Sequence, residues 1–246
     1  MKTIVFDLDD TLYDVSLPYF KSLESEGIYI DDKMKKDLFI LSRHYSDVYY
    51  DKEKAGEIDN KGMYVGRVKH ALSDFGIEVD EDKAYAIHLN YLYQQKSIYL
   101  SNEMKNLLSF LKERAKLAII TNGPSEHQWG KINQLKLCDY FDKDKIIVSD
   151  DVCCRKPDEK IFKIIAQRCD SSLKDCYFVG DSYNCDILGS KSANMKSIWY
   201  NHRDRLEENN ISDYTVTSFS QLDSLLRKLA ECVICDWVRR KNERFD

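Results

Sequence analysis

The stretch Thr3-Ile4-Val5-Phe6-Asp7-Leu8-Asp9-Asp10-Thr11-Leu12 decides the reading of this chain. Its first part is a short apolar, β-branched run without a polar face, the pattern of a strand buried on both sides. Three carboxylates follow at once. In a parallel sheet, residues just past the carboxyl ends of the strands are the ones that meet ligands. Alternation with a period of two sends Asp7 and Asp9 to one side. Two carboxylates that close repel each other, and a cation between them is the natural compensation. Acids after a strand also cap turns, so the stretch alone supports a cation site or a plain turn.

Working outward, short apolar runs predict further strands at 117–120, 146–148, 177–179, 197–200 and, more weakly, 214–216. Helical spacing separates them. Met104, Leu107, Leu108 and Leu111 repeat at i, i+3, i+4, i+7, and Ile161, Ile165 and Cys169 repeat every four residues. Pro157 is expected at the start of the latter helix, where its missing N–H is harmless. Leu222, Leu225, Leu226 and Leu229 mark a last helix, and the charged tail from Arg239 to Asp246 is expected to fray. Strands alternating with helices imply an α/β fold, a parallel sheet with helices on both faces. Residues 15–98 read differently. They hold no convincing strand, show helical periodicity as in Leu38, Leu41 and Tyr45, and contain more than half of the sixteen tyrosines. This insertion predicts a smaller, all-helical second domain at 15–98, with 1–14 and 99–246 forming a discontinuous core.

Composition bounds the function. A chain of 246 residues can bury a full core without disulfides or a structural metal. With nine Gly and three Pro, about 5% against a usual ~12%, a turn-rich sandwich or a disordered linker is disfavoured. No apolar run approaches the ~20 residues of a membrane span. The formal charge of −5 does not attract nucleic-acid polymers, so an anionic substrate must be drawn in by local cations. The beginning of the chain lacks the apolar stretch of a signal peptide. Among eight cysteines only Cys232-Val-Ile-Cys235 has a CxxC spacing, and it lacks a second half for zinc. These readings predict reduced thiols and a cytoplasmic protein. Oligomeric state is not legible.

Three more segments carry chemistry. Ile119-Ile120-Thr121-Asn122-Gly123 ends a buried run in a hydroxyl and a flexible turn, whose hydroxyl and N–H groups suit phosphate oxygens or an ordinary strand-to-helix turn. In Arg155-Lys156-Pro157, Lys156 is placed directly before a helix N-terminus, so that two positive ends converge on one anion; a lone lysine is more commonly solvated. Val179-Gly180-Asp181-Ser182-Tyr183-Asn184-Cys185-Asp186 runs from a buried strand into two acids, hard oxygen ligands suited to Mg²⁺. Asp186 also fits an acid in a first helical turn.

Taken in this order, each at a strand end, the four segments resemble the haloacid dehalogenase-like (HAD) hydrolase superfamily. The resemblance covers residues 1–14 and 100–229. By position and length, the insertion resembles the helical cap of subfamily I. The resemblance implies a Rossmann-like core plus cap, and a Mg²⁺-dependent phosphatase acting on a small-molecule phosphate monoester. In that reading Asp7 is the nucleophile and Asp9 the general acid and then base. Thr121, Asn122 and Lys156 hold the phosphate, and Thr121 and Lys156 also position Asp7. Asp7, Asp9 through its carbonyl and Asp181 ligate the metal, and Asp186 holds a metal-bound water or orients Lys156.

Two departures touch none of these groups. Cys185 stands where many relatives have Asn, and Ala193-Asn194 where many have Gly; Asn also tolerates the left-handed C′ position. Hydrolytic dehalogenases of the superfamily need no metal and lack the acid two residues after the nucleophile, so Asp9, Asp181 and Asp186 argue against dehalogenation. A phosphosugar mutase or other phosphoryl transferase keeps all four motifs. A non-catalytic binding protein would be expected to have lost one of the acids. His127 is expected on a helix surface, and Trp129, Trp199 and Trp237 read as packing residues.

Overall fold

In this computed structural model, residues 1–207 and 209–242 are described, with the backbone alone for 232–242. The chain divides into two compact units, Met1–Asp14 with Tyr99–Asp246, and Val15–Ile98.

The first unit is built on six strands: β1 (Thr3–Phe6), β2 (Lys116–Thr121), β3 (Ile146–Val148), β4 (Cys176–Gly180), β5 (Lys196–Tyr200) and β6 (Tyr214–Val216). All pairings are parallel, in the order β3-β2-β1-β4-β5-β6. β1 is central, and both its faces are buried, which is why residues 4–6 read as continuous apolar sequence after a buried Thr3. The strand order reverses direction between β1 and β4. Their carboxyl ends therefore flank the crevice where open α/β sheets bind ligands. β2, β4 and β5 each extend past the predicted runs, because Lys116, Thr121, Gly180 and Lys196 pair in register although they are not apolar.

Helices connect the strands. The predicted stripe of Met104, Leu107, Leu108 and Leu111 is the buried face of α5 (Asn102–Lys112), whose first turn is capped by Ser101 accepting from Met104 N–H. α6 (Ser125–Gln134) follows β2. α7 (Glu159–Arg168) packs Ile161, Phe162 and Ile165 with Val5, Ala118, Ile120 and Phe178 of the sheet. α7 starts two residues later than predicted, because Asp158 caps it by accepting from Lys160 N–H; Pro157 lies before the cap. After α8 (Leu188–Ser192), Asn194 takes the left-handed conformation (φ 63°) that the sequence assigned to it. The last helix, α9 (Phe219–Asn242), continues through Arg239, where fraying was expected. Residues 243–246 lie outside the described part. So do the side chains of Cys232, Cys235 and Trp237. The six other cysteines are free thiols.

The second unit is helical: α1 (Ser16–Ser25), α2 (Asp32–Lys54), α3 (Asn60–Ser73) and α4 (Glu81–Gln94). Asp31, Asp59 and Asp80 cap the last three, accepting from the N–H groups of Lys33, Gly62 and Lys83. α1 and α2 end in left-handed glycines, Gly27 and Gly56 (φ 74° each), with Ile28 N–H returning to Leu23 O and Glu57 N–H to Lys52 O. The buried stripe of α2 is Leu38, Phe39 and Ser42, whereas Leu41 and Tyr45 are only half-buried. Neighbouring helices select which apolar stripe is covered, and periodicity alone placed it one step off. No described helix is long and apolar enough to cross a membrane.

Candidate active site

β1 delivers Asp7. Its N–H still pairs with Val179 O at 2.9 Å, and its side chain is buried. Lys156 reaches it from the loop before α7: Nζ lies 2.5 Å from Asp7 Oδ1 and 2.7 Å from Asp186 Oδ1, and Lys156 is 2% exposed. The solvated-lysine reading is thereby excluded. Lys156 stands three residues before α7, so the helix end does not adjoin it as the sequence suggested. Its backbone is fixed by Asn122, whose amide accepts from Lys156 N–H and donates to Lys156 O, each at 2.9 Å. The Asn122 side chain, expected on phosphate, is thus occupied in positioning the lysine. Burial alone disfavours the lysine's charge, but Asp186 and Asp7 more than compensate and hold it protonated well above the usual range.

β4 delivers the other two acids. Past Gly180 the chain makes a π-type turn, Tyr183–Ile187, which folds the wholly buried Asp186 back so that it accepts from Ser182 N–H at 3.0 Å. A Cβ at Gly180 would lie 2.3 Å from Asp186 Oδ2, so the turn requires glycine there. Asp7, Asp181 and Asp186 offer oxygens that all lie within 4.8 Å of one another. Burial pushes the Asp7 carboxyl up to about 7; Lys156 opposes this, and Asp186 and Asp9 add to it. Burial likewise raises Asp181 well above the usual range, with Asp10, Asp7 and Asp186 reinforcing and Arg205 opposing. An oxygen-only cluster of three acids, more than Lys156 and Arg205 can balance, fits a hard divalent cation.

Asp9 faces elsewhere. Strand pairing has ended, so the period of two does not carry through to it. Both its oxygens lie 2.8 Å from Lys131 Nζ; Tyr13 donates to one at 2.6 Å and Gln128 to the other at 3.0 Å. Burial pushes its carboxyl up, but Lys131, Tyr13 and Gln128 together hold it well below the usual carboxylate range. Gln128 also donates to Thr121 Oγ1 at 3.0 Å and to Asn122 O, tying the second segment to the first. Asp10, in left-handed conformation, is clamped by Arg203 at 2.7 Å, with His202 donating to its backbone oxygen. Arg205 approaches Asp181 at 3.4 Å, and Trp199 donates to Asp181 O at 3.0 Å.

Sequence reasoning missed Gln128, Lys131, Arg203 and Arg205. Gln128 and Lys131 are three apart on α6, a polar pair on its buried face. That spacing is readable in the sequence; neighbouring His127 is half-buried. Arg203 and Arg205 lie in irregular chain after β5, where no periodic signal exists.

A parallel α/β sheet that gathers a buried lysine and three carboxylates at its switch point defines a class of hydrolytic site. A profile of the haloacid dehalogenase-like hydrolases matches residues 1–194. The chain belongs to that family. It is 29% identical over 243 residues to a glyceraldehyde 3-phosphate phosphatase of Pyrococcus furiosus, covering 93% of this chain and 94% of that one. It is 28% identical over 232 residues to the pyrimidine 5'-nucleotidase PynA of Streptococcus pneumoniae, covering 91% and 93%. The fold matches that of YfnB, a HAD hydrolase of Bacillus subtilis solved bound to magnesium, with a TM-score of 0.67 and 23% identity over 92% of this chain and 98% of that one.

Proposed function

We propose that this protein is a Mg²⁺-dependent phosphatase that hydrolyses a small phosphate monoester through an aspartyl-phosphate on Asp7. The observation that carries the reading is a carboxylate at the end of the central strand, pinned by buried Lys156 beside Asp181 and Asp186. The names of the archaeal and streptococcal relatives support the phosphatase class, and the magnesium-bound relative supports the metal.

Asp7 Oδ attacks phosphorus, and the bond from phosphorus to the leaving oxygen breaks. Asp9 gives that oxygen a proton. Asp9 then takes a proton from water, whose oxygen attacks phosphorus, breaking the bond to Asp7 and releasing phosphate. Lys131 favours the ionised Asp9 of the second step and opposes the protonated form of the first, so Asp9 must turn from Lys131 to act as acid. Lys156 and Thr121 face the charge developing on the phosphoryl oxygens. Asp7, Asp181, Asp186 and the Asp9 carbonyl would hold Mg²⁺, which supplies charge neutralisation for the attack of an anion on an anion. Free thiols suit a reducing, cytoplasmic setting.

The test is a panel of nucleotides, sugar phosphates and short organic-acid phosphates, assayed with Mg²⁺ and with chelator. Turnover is expected with Mg²⁺ alone, and Asp7→Asn is expected to abolish it while the protein stays folded. Undiminished turnover in Asp7→Asn, or in metal-stripped protein, overturns the reading.

A further inference from the structure

The acids at the strand ends each face a cation, and the grips differ. Lys156 lies 2.5 Å from Asp7 and 2.7 Å from Asp186, Lys131 lies 2.8 Å from Asp9, and Arg203 lies 2.7 Å from Asp10. Asp181 faces Arg205 at 3.4 Å, and among the described residues no other cation comes within ion-pair distance of it. No hydrogen bond joins these two side chains, and Arg205 Nε is buried without a partner. A buried donor without an acceptor is costly. Charge attraction, not hydrogen bonding, therefore keeps this guanidinium beside Asp181.

The main chain under the pair is set firmly. Asn201, just past β5, continues the strand pairing by donating its N–H to Val216 O at 2.8 Å. Its side-chain amide accepts from Arg205 N–H at 2.8 Å and donates to Arg205 O at 2.9 Å, the same two-bond grip that Asn122 places on Lys156. Asp204 N–H closes the turn on Asn201 O at 3.1 Å, with Asp204 in the left-handed conformation (φ 49°) that Asp tolerates. From β5 itself Trp199 donates to Asp181 O at 3.0 Å. The end of β5 thus fixes the backbone of the acid and the backbone of the arginine, and leaves the contact between their side chains as the adjustable part.

Asp181 is also one of the three acids whose oxygens lie within 4.8 Å of one another. A divalent ion held by that cluster and a guanidinium 3.4 Å from one of its ligands repel each other. Lys156 cannot give way, because it is 2% exposed and bonded to two carboxylates. The Arg205 side chain is 26% exposed and unbonded, so it can withdraw into water, where its Nε also finds an acceptor.

We propose that Arg205 is a built-in competitor of the metal: its guanidinium neutralises Asp181 in the metal-free protein and withdraws when Mg²⁺ binds, so that its charge limits how tightly the ion is held. The proposal rests on the Mg²⁺ reading of the site given above.

The test reads binding and stability directly, on the full chain after treatment with chelator and dialysis. Mg²⁺ alone is titrated by calorimetry into the native protein, Arg205→Gln, Arg205→Met and Arg205→Lys. The Gln and Met variants are expected to bind Mg²⁺ about threefold or more tightly than the native protein, the scale of a partly exposed ion pair. Arg205→Lys keeps the charge and is expected to stay near the native value. Lys163→Gln, an equal change of net charge on the surface of α7, is expected to leave binding unchanged. Melting temperatures supply the second readout. Without metal, Arg205→Gln is expected to melt below the native protein, and saturating Mg²⁺ is expected to close that gap. A merely structural arginine would lower both melting temperatures alike. Native or weaker Mg²⁺ binding in both neutral variants, equal tightening in Arg205→Lys or Lys163→Gln, or a gap that Mg²⁺ leaves open overturns the proposal. If native protein and variants alike bind no Mg²⁺, the metal reading falls with it. If the neutral variants bind more tightly but no phosphate ester is turned over, the proposal stands and only the phosphatase reading falls.

Discussion

Lys131 holds both oxygens of Asp9 at 2.8 Å, and this contact governs the protonation of the residue proposed as general acid and base. Asp9 is depressed in the folded state. Its ionisation therefore adds stability above the usual carboxylate pKa, and that stability is lost as pH falls through the folded value. Lys131→Met removes the largest opposing influence on a buried carboxyl and raises its pKa. The acid limb of the kcat profile is expected to move to higher pH by about one unit or more, equivalent to ~1.4 kcal/mol per unit. A pH–rate series on the two proteins checks this, and an unmoved limb would separate Lys131 from the proton transfer. Asp7 shows the opposite balance. Burial raises its carboxyl to about 7 against the pull of Lys156, and a further cation beside it would favour the ionised form that the proposed attack requires.

The turn between β4 and α8 does what neither element does alone. Gly180 lets Asp186 fold back against the strand end, and Asp186 in turn gives Lys156 its second anchor. On the far side, Gly189 in α8 faces the Pro157 backbone, where an added Cβ would approach Cα to 2.9 Å. Gly180→Ala is expected to displace Asp186, lower stability by ~1–3 kcal/mol as overpacking does, and reduce turnover at least tenfold. Melting curves and steady-state rates on the variant measure both. A stable variant with native turnover would show that the turn has slack the structure does not reveal.

At the scale of the whole molecule, the described cysteines divide by environment. Burial pushes the Cys169 thiol up to about 11 and the Cys176 thiol up to about 12, while Cys138 and Cys153 are exposed. Only thiolate reacts readily. Iodoacetamide at pH 8 is therefore expected to modify Cys138 and Cys153 in the native protein, and Cys169 and Cys176 only after unfolding, as read by peptide mass. The sign for stability follows. Between about pH 9 and 11 the unfolded chain releases these protons and the folded one keeps them, so stability falls as pH rises through that window. Melting temperatures at pH 8 and 10.5 check it, with Cys176→Ala expected to lessen the drop. Native labelling of Cys176 at pH 8 would contradict the burial.

The sequence by itself determined the parallel α/β core, because a strand buried on both faces reads as a near-continuous apolar run, as residues 4–6 do after Thr3. It also determined where acids and a lysine stand relative to strand ends, since chain order and strand ends are properties of the chain. Partners were decided only by the tertiary structure. Asp7 and Asp9 are two residues apart, yet one meets a lysine 149 positions away and the other a lysine 122 positions away. The Asn122 side chain grips the backbone of Lys156, a pairing across 34 positions that no motif announces. Hydrogen bonds and charge pairs act over a few ångströms, and separation along the chain does not encode which distant groups will stand that close.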